Sequence, residues 1–336
     1  MSKHYAYSMI GGVMIMGVMI SFGVLVLCKN GQMAKKDIKI ETINFEDSMQ
    51  VKLHTAMLAD SSTSGLLSLF KRVYEKNHPG RVISQSTIKI PRYLHVIWLG
   101  SKFPPAYESF YRSWLAHHPS WVHIFWTDNP ANYGYGTVVL TSFDELKDYL
   151  EAHARDEGVL IVMDTSKLVF DNKVFFDVSR NYGERSDILR WEIIFRFGGL
   201  YVDADFECIR PLDELHYCYD FYTGLQPLDT KYVQLGAALF GAVPGHPIVA
   251  ACVYGIKNNQ HILPIVAKTG PMHFTRSFLM HVNDGNYINI AFPASFFYPR
   301  GYDQRTLPTE CWQKNEAFAV HHWAGSWLKP EGFVCA

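Results

Sequence analysis

The run Gly198-Gly199-Leu200-Tyr201-Val202-Asp203-Ala204-Asp205 constrains this 336-residue chain more than any other stretch. Leu200, Tyr201 and Val202 read as a buried strand whose last residues turn acidic. Ahead of it, Ile188, Leu189, Trp191, Ile194 and Phe195 form a broad apolar face at helical spacing. Ser186 is a candidate N-cap for that helix, and Gly198 supplies a left-handed stop. A buried helix feeding a buried strand is a piece of a parallel sheet covered by helices. Residues two apart on a strand point to one side, so the two carboxylates share a face. At the carboxyl end of a parallel strand that face opens on the crevice where ligands bind. Acid groups beside a buried strand need a compensating partner.

The same texture begins further upstream. Residues 92–100, RYLHVIWLG, read as a strand bounded by Pro91 and Gly100. Pro104-Pro105 opens a helix running from Tyr107 to His117, with Phe110 and Trp114 on one face, and His118-Pro119 stops it. Residues 123–127 read as a second strand, closed by Asp128-Asn129-Pro130. The formal net charge is -1 and no basic cluster is interleaved with aromatics, which argues against nucleic acid as a partner. Six cysteines occur without a CxxC pair, which argues against a zinc knuckle. Their even number fits disulfides and buried free thiols alike.

Residues 8–28 carry no charged side chain, over about the 20 residues that cross a bilayer. Leu25, Val26 and Leu27 before Cys28 offer no small-residue cleavage site, so an uncleaved anchor is expected. The expected organisation is an anchor over 1–29, a stem over 30–88 and a catalytic domain over 89–336. Within the stem, Ser61-Ser62-Thr63-Ser64-Gly65 is a loop signal and residues 66–74 read as a short amphipathic helix. Lys29, Lys35, Lys36 and Lys39 outnumber Lys3 on the other flank, which places the bulk of the chain on the cytoplasmic side. The absence of an Asn-x-Ser/Thr acceptor agrees with that side.

Two carboxylates at a strand end suit a hard divalent cation such as Mn²⁺ or Mg²⁺, which bridges phosphates and offsets charge on a departing diphosphate. A phosphotransferase built on DxD would place a hydroxyl residue soon after, whereas Phe206-Glu207-Cys208 follows here. Asp187 and Arg190 are three apart and can share a helix face. They are open to three readings: a surface ion pair, Arg190 pinning a DxD carboxylate, or a pair that grips a sugar and its oxygens.

Ser186-Asp187-Ile188-Leu189-Arg190 followed by the Gly198 to Asp205 run resembles the DXD sugar-binding glycosyltransferases. That family includes yeast initiating mannosyltransferases, inositol-phosphoceramide mannosyltransferases and α-1,4-galactosyl- and N-acetylglucosaminyltransferases. Ile90-Pro91 with RYLHVIWLG looks like its opening strand, and Trp114 through Asp128 like its second helix and strand. The resemblance covers about residues 89–328. It implies an α/β, GT-A-like nucleotide-sugar-binding fold with a mainly parallel central sheet, here preceded by one transmembrane helix. It also implies a Golgi or endoplasmic-reticulum lumen, against the flanking charge.

The resemblance assigns Ile97 and Trp98 to the nucleotide base. It assigns Asp187 and Arg190 to the donor sugar, Asp203 to ribose or sugar, and Asp205 directly to the metal. His321-His322-Trp323-Ala324-Gly325-Ser326-Trp327 matches an element that closes over the diphosphate, with His321 a metal ligand, His322 its rival, and Ser326 and Trp327 shielding the diphosphate. Gln234 and Gly236 would line the site. Thr269-Gly270-Pro271 would lead into a helix near the acceptor. Catalytic roles fall on Asp187, Arg190, Asp203 and Asp205. The implied activity is retaining transfer of a hexose from a nucleotide-diphosphate sugar to a glycan or glycolipid acceptor at a membrane. No carboxylate offers itself beneath the anomeric carbon, so same-face substitution is the expected route. The alternative is a non-catalytic membrane-bound sugar- or nucleotide-binding protein. Residues 135–180 match the family poorly, which leaves the acceptor open.

Overall fold

The computed structural model describes residues 42–82, 86–132, 137–153, 158–308, 312 and 314–328. Ten strands occur among them: β1 Tyr93–Trp98, β2 Val122–Thr127, β3 Val138–Leu140, β4 Leu160–Asp164, β5 Gly199–Val202, β6 Phe206–Cys208, β7 Phe221–Leu225, β8 Leu235–Ala242, β9 Asn289–Phe292 and β10 Ala319–His321. Eight form one sheet in the order β3-β4-β2-β1-β5-β8-β7-β9. All neighbours in it are parallel except the two pairings of β8. The expected α/β architecture with a mainly parallel sheet is therefore present. β6 and β10 pair antiparallel in a separate small sheet.

The helix before β5 differs from the expectation at its start. It runs Tyr182–Phe197 and is capped by Asn181, whose side chain accepts the Glu184 N–H at 3.1 Å. Ser186 lies inside the helix, because Asn181 offers the same cap one turn earlier. Gly198 and Gly199 take φ +65° and +95°, and a Cβ on Gly199 would stand 2.6 Å from the Tyr93 carbonyl oxygen. The glycine pair thus permits the sharp entry of β5 beside β1.

β5 also ends earlier than expected. Asp203 and Asp205 lie beyond it in a turn closed by the Phe206 N–H on the Asp203 carbonyl at 3.0 Å. The turn, rather than strand alternation, brings the two side chains together.

The segment expected to be a stem is largely part of the folded body. Asp60 caps a helix Ser61–Asn77, so Ser61 to Gly65 is helical rather than a loop. Leu67, Phe70, Val73 and Tyr74 are buried on one face of it. Phe70 packs on Phe278 at 5.7 Å between ring centroids, and Tyr74 on Phe292 and Phe296. Phe45 and Met49 add to the same core.

Among the described residues no helix is long and apolar enough to cross a membrane. The anchor expected over residues 8–28 lies outside the described residues, as do Cys28, Cys311 and Cys335. Cys208, Cys218 and Cys252 are buried, and Cys208 and Cys252 are free thiols.

Candidate active site

The turn after β5 holds Asp203 and Asp205 against His321 on β10. Ligand-capable atoms of the three residues lie within 4.8 Å of one another. β10 runs beside β6 with His321 opposite Phe206, which sets the imidazole next to the turn. Its Nε2 lies 3.2 Å from Asp205 Oδ1, and its Nδ1 is buried with no hydrogen-bond partner. The backbone following His321 wraps the same carboxylate. His322 N–H donates to the Asp205 carbonyl at 2.9 Å, and Ala324 N–H donates to Asp205 Oδ2 at 2.8 Å. His322 points the other way, as adjacent strand residues must. It meets Glu207 Oε2 at 2.9 Å and Arg300 at 3.2 Å, and stacks on Phe110 at 4.0 Å. His321 is the histidine that faces the acidic pair.

Arg190, buried on the helix Tyr182–Phe197, braces this turn from beneath. Its guanidinium donates to the Ala237 carbonyl at 2.8 Å and to the Ser186 carbonyl at 3.2 Å. It also lies 3.1 Å from Asp187 Oδ1 and 3.3 Å from Asp203 Oδ1, and sits over the Tyr201 ring at 4.5 Å. Tyr201 O–H donates to Asp203 Oδ1 at 2.6 Å. Thr269 O–H donates to Asp187 Oδ2 at 3.0 Å. Of the three readings of Asp187 and Arg190, the surface ion pair is ruled out by burial, and the pinning of Asp203 by Arg190 is present.

The electrostatics follow from this crowding. Burial pushes the Asp187 carboxyl up to about 6, against the pull of Arg190 and Thr269. Burial likewise raises Asp203, more than Arg190 offsets. Burial acts on Asp205 too, but the charge and hydrogen bond of His321 outweigh it and hold that carboxyl below its ordinary range. Two neighbouring acids are thus driven apart in proton affinity, with Asp205 the one kept ionised.

A cavity of about 620 Å³ opens over the pair. It is lined by Ile97, Trp98, Asp187, Arg190, Asp203, Asp205, Gln234, His321, Ser326 and Trp327, so the structure collects these residues from four distant stretches of chain. Gly236 is not among its lining residues: it packs on Tyr298, whose hydroxyl would be 1.9 Å from a Cβ there. Trp98 is half-buried, braced by Phe103 and Tyr107 at 5.6 and 5.3 Å, and its indole N–H donates to Ser101 Oγ. Asn181 donates its side-chain N–H to the Trp327 carbonyl at 2.9 Å, tying the last turn of the wall to the helix start.

Several lining residues were not singled out in the sequence as site residues: Tyr107, Tyr182, Gln226 and Tyr302. Trp323 has φ +55°, a left-handed backbone rare outside glycine, next to His321. No local pattern distinguishes Tyr182, Gln226 and Tyr302 from structural residues, whereas Trp323 lies in the His321 to Trp327 element read from the sequence. Of the residues not singled out, Tyr107 alone carried a signal, as the neighbour of Phe110 on a helix beginning beside Trp98.

Residues 104–222 match the family described as "Glycosyltransferase sugar-binding region containing DXD motif", a span that includes Asp187, Arg190, Asp203 and Asp205. Inositol phosphoceramide mannosyltransferase 2 of Schizosaccharomyces pombe is 22% identical over 188 residues, covering 54% of this chain and 44% of the relative. Human alpha-1,4-N-acetylglucosaminyltransferase is 26% identical over 234 residues, covering 61% of this chain and 63% of the relative. The matches thus span about half the length of these curated relatives. Among solved structures, "PaToxG Glycosyltransferase" aligns at a TM-score of 0.43 and 14% identity, over 69% of this chain and 80% of that one. Both of these curated relatives are glycosyltransferases by name.

Proposed function

We propose that this chain is a retaining, metal-assisted hexosyltransferase of GT-A-like fold, acting on a nucleotide-diphosphate sugar. One observation carries the reading: Asp203, Asp205 and His321 converge beside a cavity that also holds Trp98, Asp187 and Arg190. The donor set fits a divalent cation, since two carboxylates and an imidazole with an orphaned buried nitrogen lie within ligand reach of one another. Carboxylate oxygens suit Mn²⁺ and Mg²⁺, and the imidazole favours Mn²⁺ of the two. Bound there, the cation would offset charge growing on the departing diphosphate.

The protein groups divide the remaining work. Arg190 holds Asp203 in place and keeps two buried carboxylates tolerable. Asp187 offers a carboxylate to sugar hydroxyls. Ile97 and Trp98 offer an apolar wall and a ring face to the base. Ser326 and Trp327 cover the opposite side and exclude water that would hydrolyse the donor. On the same-face route, the leaving phosphate oxygen takes the proton of the acceptor hydroxyl while the new glycosidic bond forms. The acceptor is a glycan or glycolipid. Residues 8–28 would anchor the catalytic unit, and resistance of the full chain to alkaline extraction from membranes tests that anchor.

The test of the central reading is nucleotide release from UDP- and GDP-hexoses, with and without Mn²⁺, by a fragment beginning at Thr42. Asp205→Ala is expected to lower Mn²⁺-dependent release by on the order of 100-fold, the scale of losing one charge-stabilising group. Full activity in that variant would overturn the assignment.

A further inference from the structure

A second cavity, of about 470 Å³, lies across one wall of the candidate active site. Gln226 lines the site, and the residues that follow it, Pro227 to Asp229, line the second cavity. Tyr302 lines the site, and its neighbours Gly301 and Asp303 line the second cavity. Tyr298 lines the second cavity and packs its ring on His321 and Trp323 of the site, at 5.6 and 5.8 Å. The two spaces are therefore back to back. Asn44, Asp47, Gln50 and Leu53, within the segment that the sequence reads as a stem, also line the second.

The lining is rich in groups that accept hydrogen bonds. Asp47, Asp229, Asp303 and Glu316 face the cavity, against Lys314 as the only lysine or arginine among its described lining residues. Asp229 Oδ2 accepts the Asp303 N–H at 2.9 Å, while its Oδ1 is buried with no hydrogen-bond partner. Ile43 and Leu53 supply apolar surface between the polar groups. Gln50, another lining residue, is held at φ +52°, a strained conformation of the kind that clusters at ligand sites. Carboxylates and amides interleaved with apolar patches match a pyranose ring, which has hydroxyls at its edge and carbon-bound hydrogens on its face. The acidic balance disfavours an anionic chain.

We infer that this cavity binds a neutral sugar unit of the acceptor glycan, beyond the unit that receives the hexose. Its volume lies within the range of ligand clefts, about 300–1,000 Å³. The inference rests on the glycosyltransferase reading and narrows it to acceptors of at least two or three neutral sugars.

The experiment is calorimetric titration of the full chain in detergent, so that binding rather than turnover is read. The probes are neutral trisaccharides of mannose, galactose and N-acetylglucosamine, the matching monosaccharides, and a trigalacturonate. At least one neutral trisaccharide is expected to bind about 10-fold more tightly than its monosaccharide, as one or two added hydrogen bonds would give. Leu53→Trp and Asp303→Trp, which fill the cavity from two sides, should each abolish that gain, and trigalacturonate should not bind. A trisaccharide that gains nothing in every series overturns the inference, and so does a gain that survives both tryptophans. Acceptor-free nucleotide release, followed in parallel, should be unchanged in both variants. Its absence from the wild-type chain would count against the active-site reading and leave the binding result to be judged by itself.

Discussion

Replacing Arg190 with methionine keeps a buried stem of similar size and removes the guanidinium. Four contacts go with it: Ala237 O at 2.8 Å, Ser186 O at 3.2 Å, Asp187 at 3.1 Å and Asp203 at 3.3 Å. Breaking a buried ion pair from one side costs about 3–5 kcal/mol, because the partner charge stays buried. The orphaned Ala237 carbonyl adds about 1 kcal/mol. The sum, about 4–6 kcal/mol, is a large part of the roughly 5–15 kcal/mol that holds a domain together. The Tm should fall by on the order of 10 °C.

The sign of the pH dependence follows from the carboxyls. Burial already lifts Asp187 from 3.8 to about 6 with Arg190 in place. A carboxyl raised on folding contributes stability that is present below its unfolded value and lost as pH rises through its folded value. Without Arg190, Asp187 and Asp203 rise further, so that loss extends to higher pH. The destabilisation should be full at pH 8 and shrink towards pH 5, where protonated carboxyls need no cation. Urea unfolding of the fragment from Thr42, followed by far-ultraviolet circular dichroism at both pH values, measures it. A loss under about 1 kcal/mol at pH 8, or an equal loss at both, would refute the claim that Arg190 neutralises these groups.

Three further outcomes follow from the same geometry. His321→Ala should weaken Mn²⁺ binding at least about 10-fold by paramagnetic resonance, whereas His322→Ala should not, since His322 is engaged with Glu207 and Arg300. Trp98→Ala should raise the Kd for the nucleotide by about 5- to 150-fold, the equivalent of about 1–3 kcal/mol of base stacking, and equal binding by both proteins would remove Trp98 from the base pocket. Phe70→Ala should cost about 3–5 kcal/mol in urea melts, as for a fully buried ring, while a flexible stem would show no change.

By itself, the sequence determined the parts of this protein that depend on short-range pattern. β1 and β2 are read off as apolar runs, and the Gly198-Gly199 entry to β5 as a backbone that only glycine adopts without strain. Asp187 and Arg190 fall on one helix face by spacing alone, and Asp203 and Asp205 stand out as acids beside a buried strand. Tertiary structure decided what depends on distant chain. Strand alternation says that His321 and His322 point oppositely, but only the pairing of β10 with β6 says which meets Asp205. Helical periodicity shows that residues 66–74 have an apolar face, but not that Phe278, Phe292 and Phe296 lie ready to cover it. The second cavity is built by residues near 50, 229, 301 and 316, which no window of sequence holds together. The physical reason is that dihedral preference and periodicity act over a few residues. Which faces bury one another, and which polar atoms are left inside without partners, is settled only when the whole chain has packed.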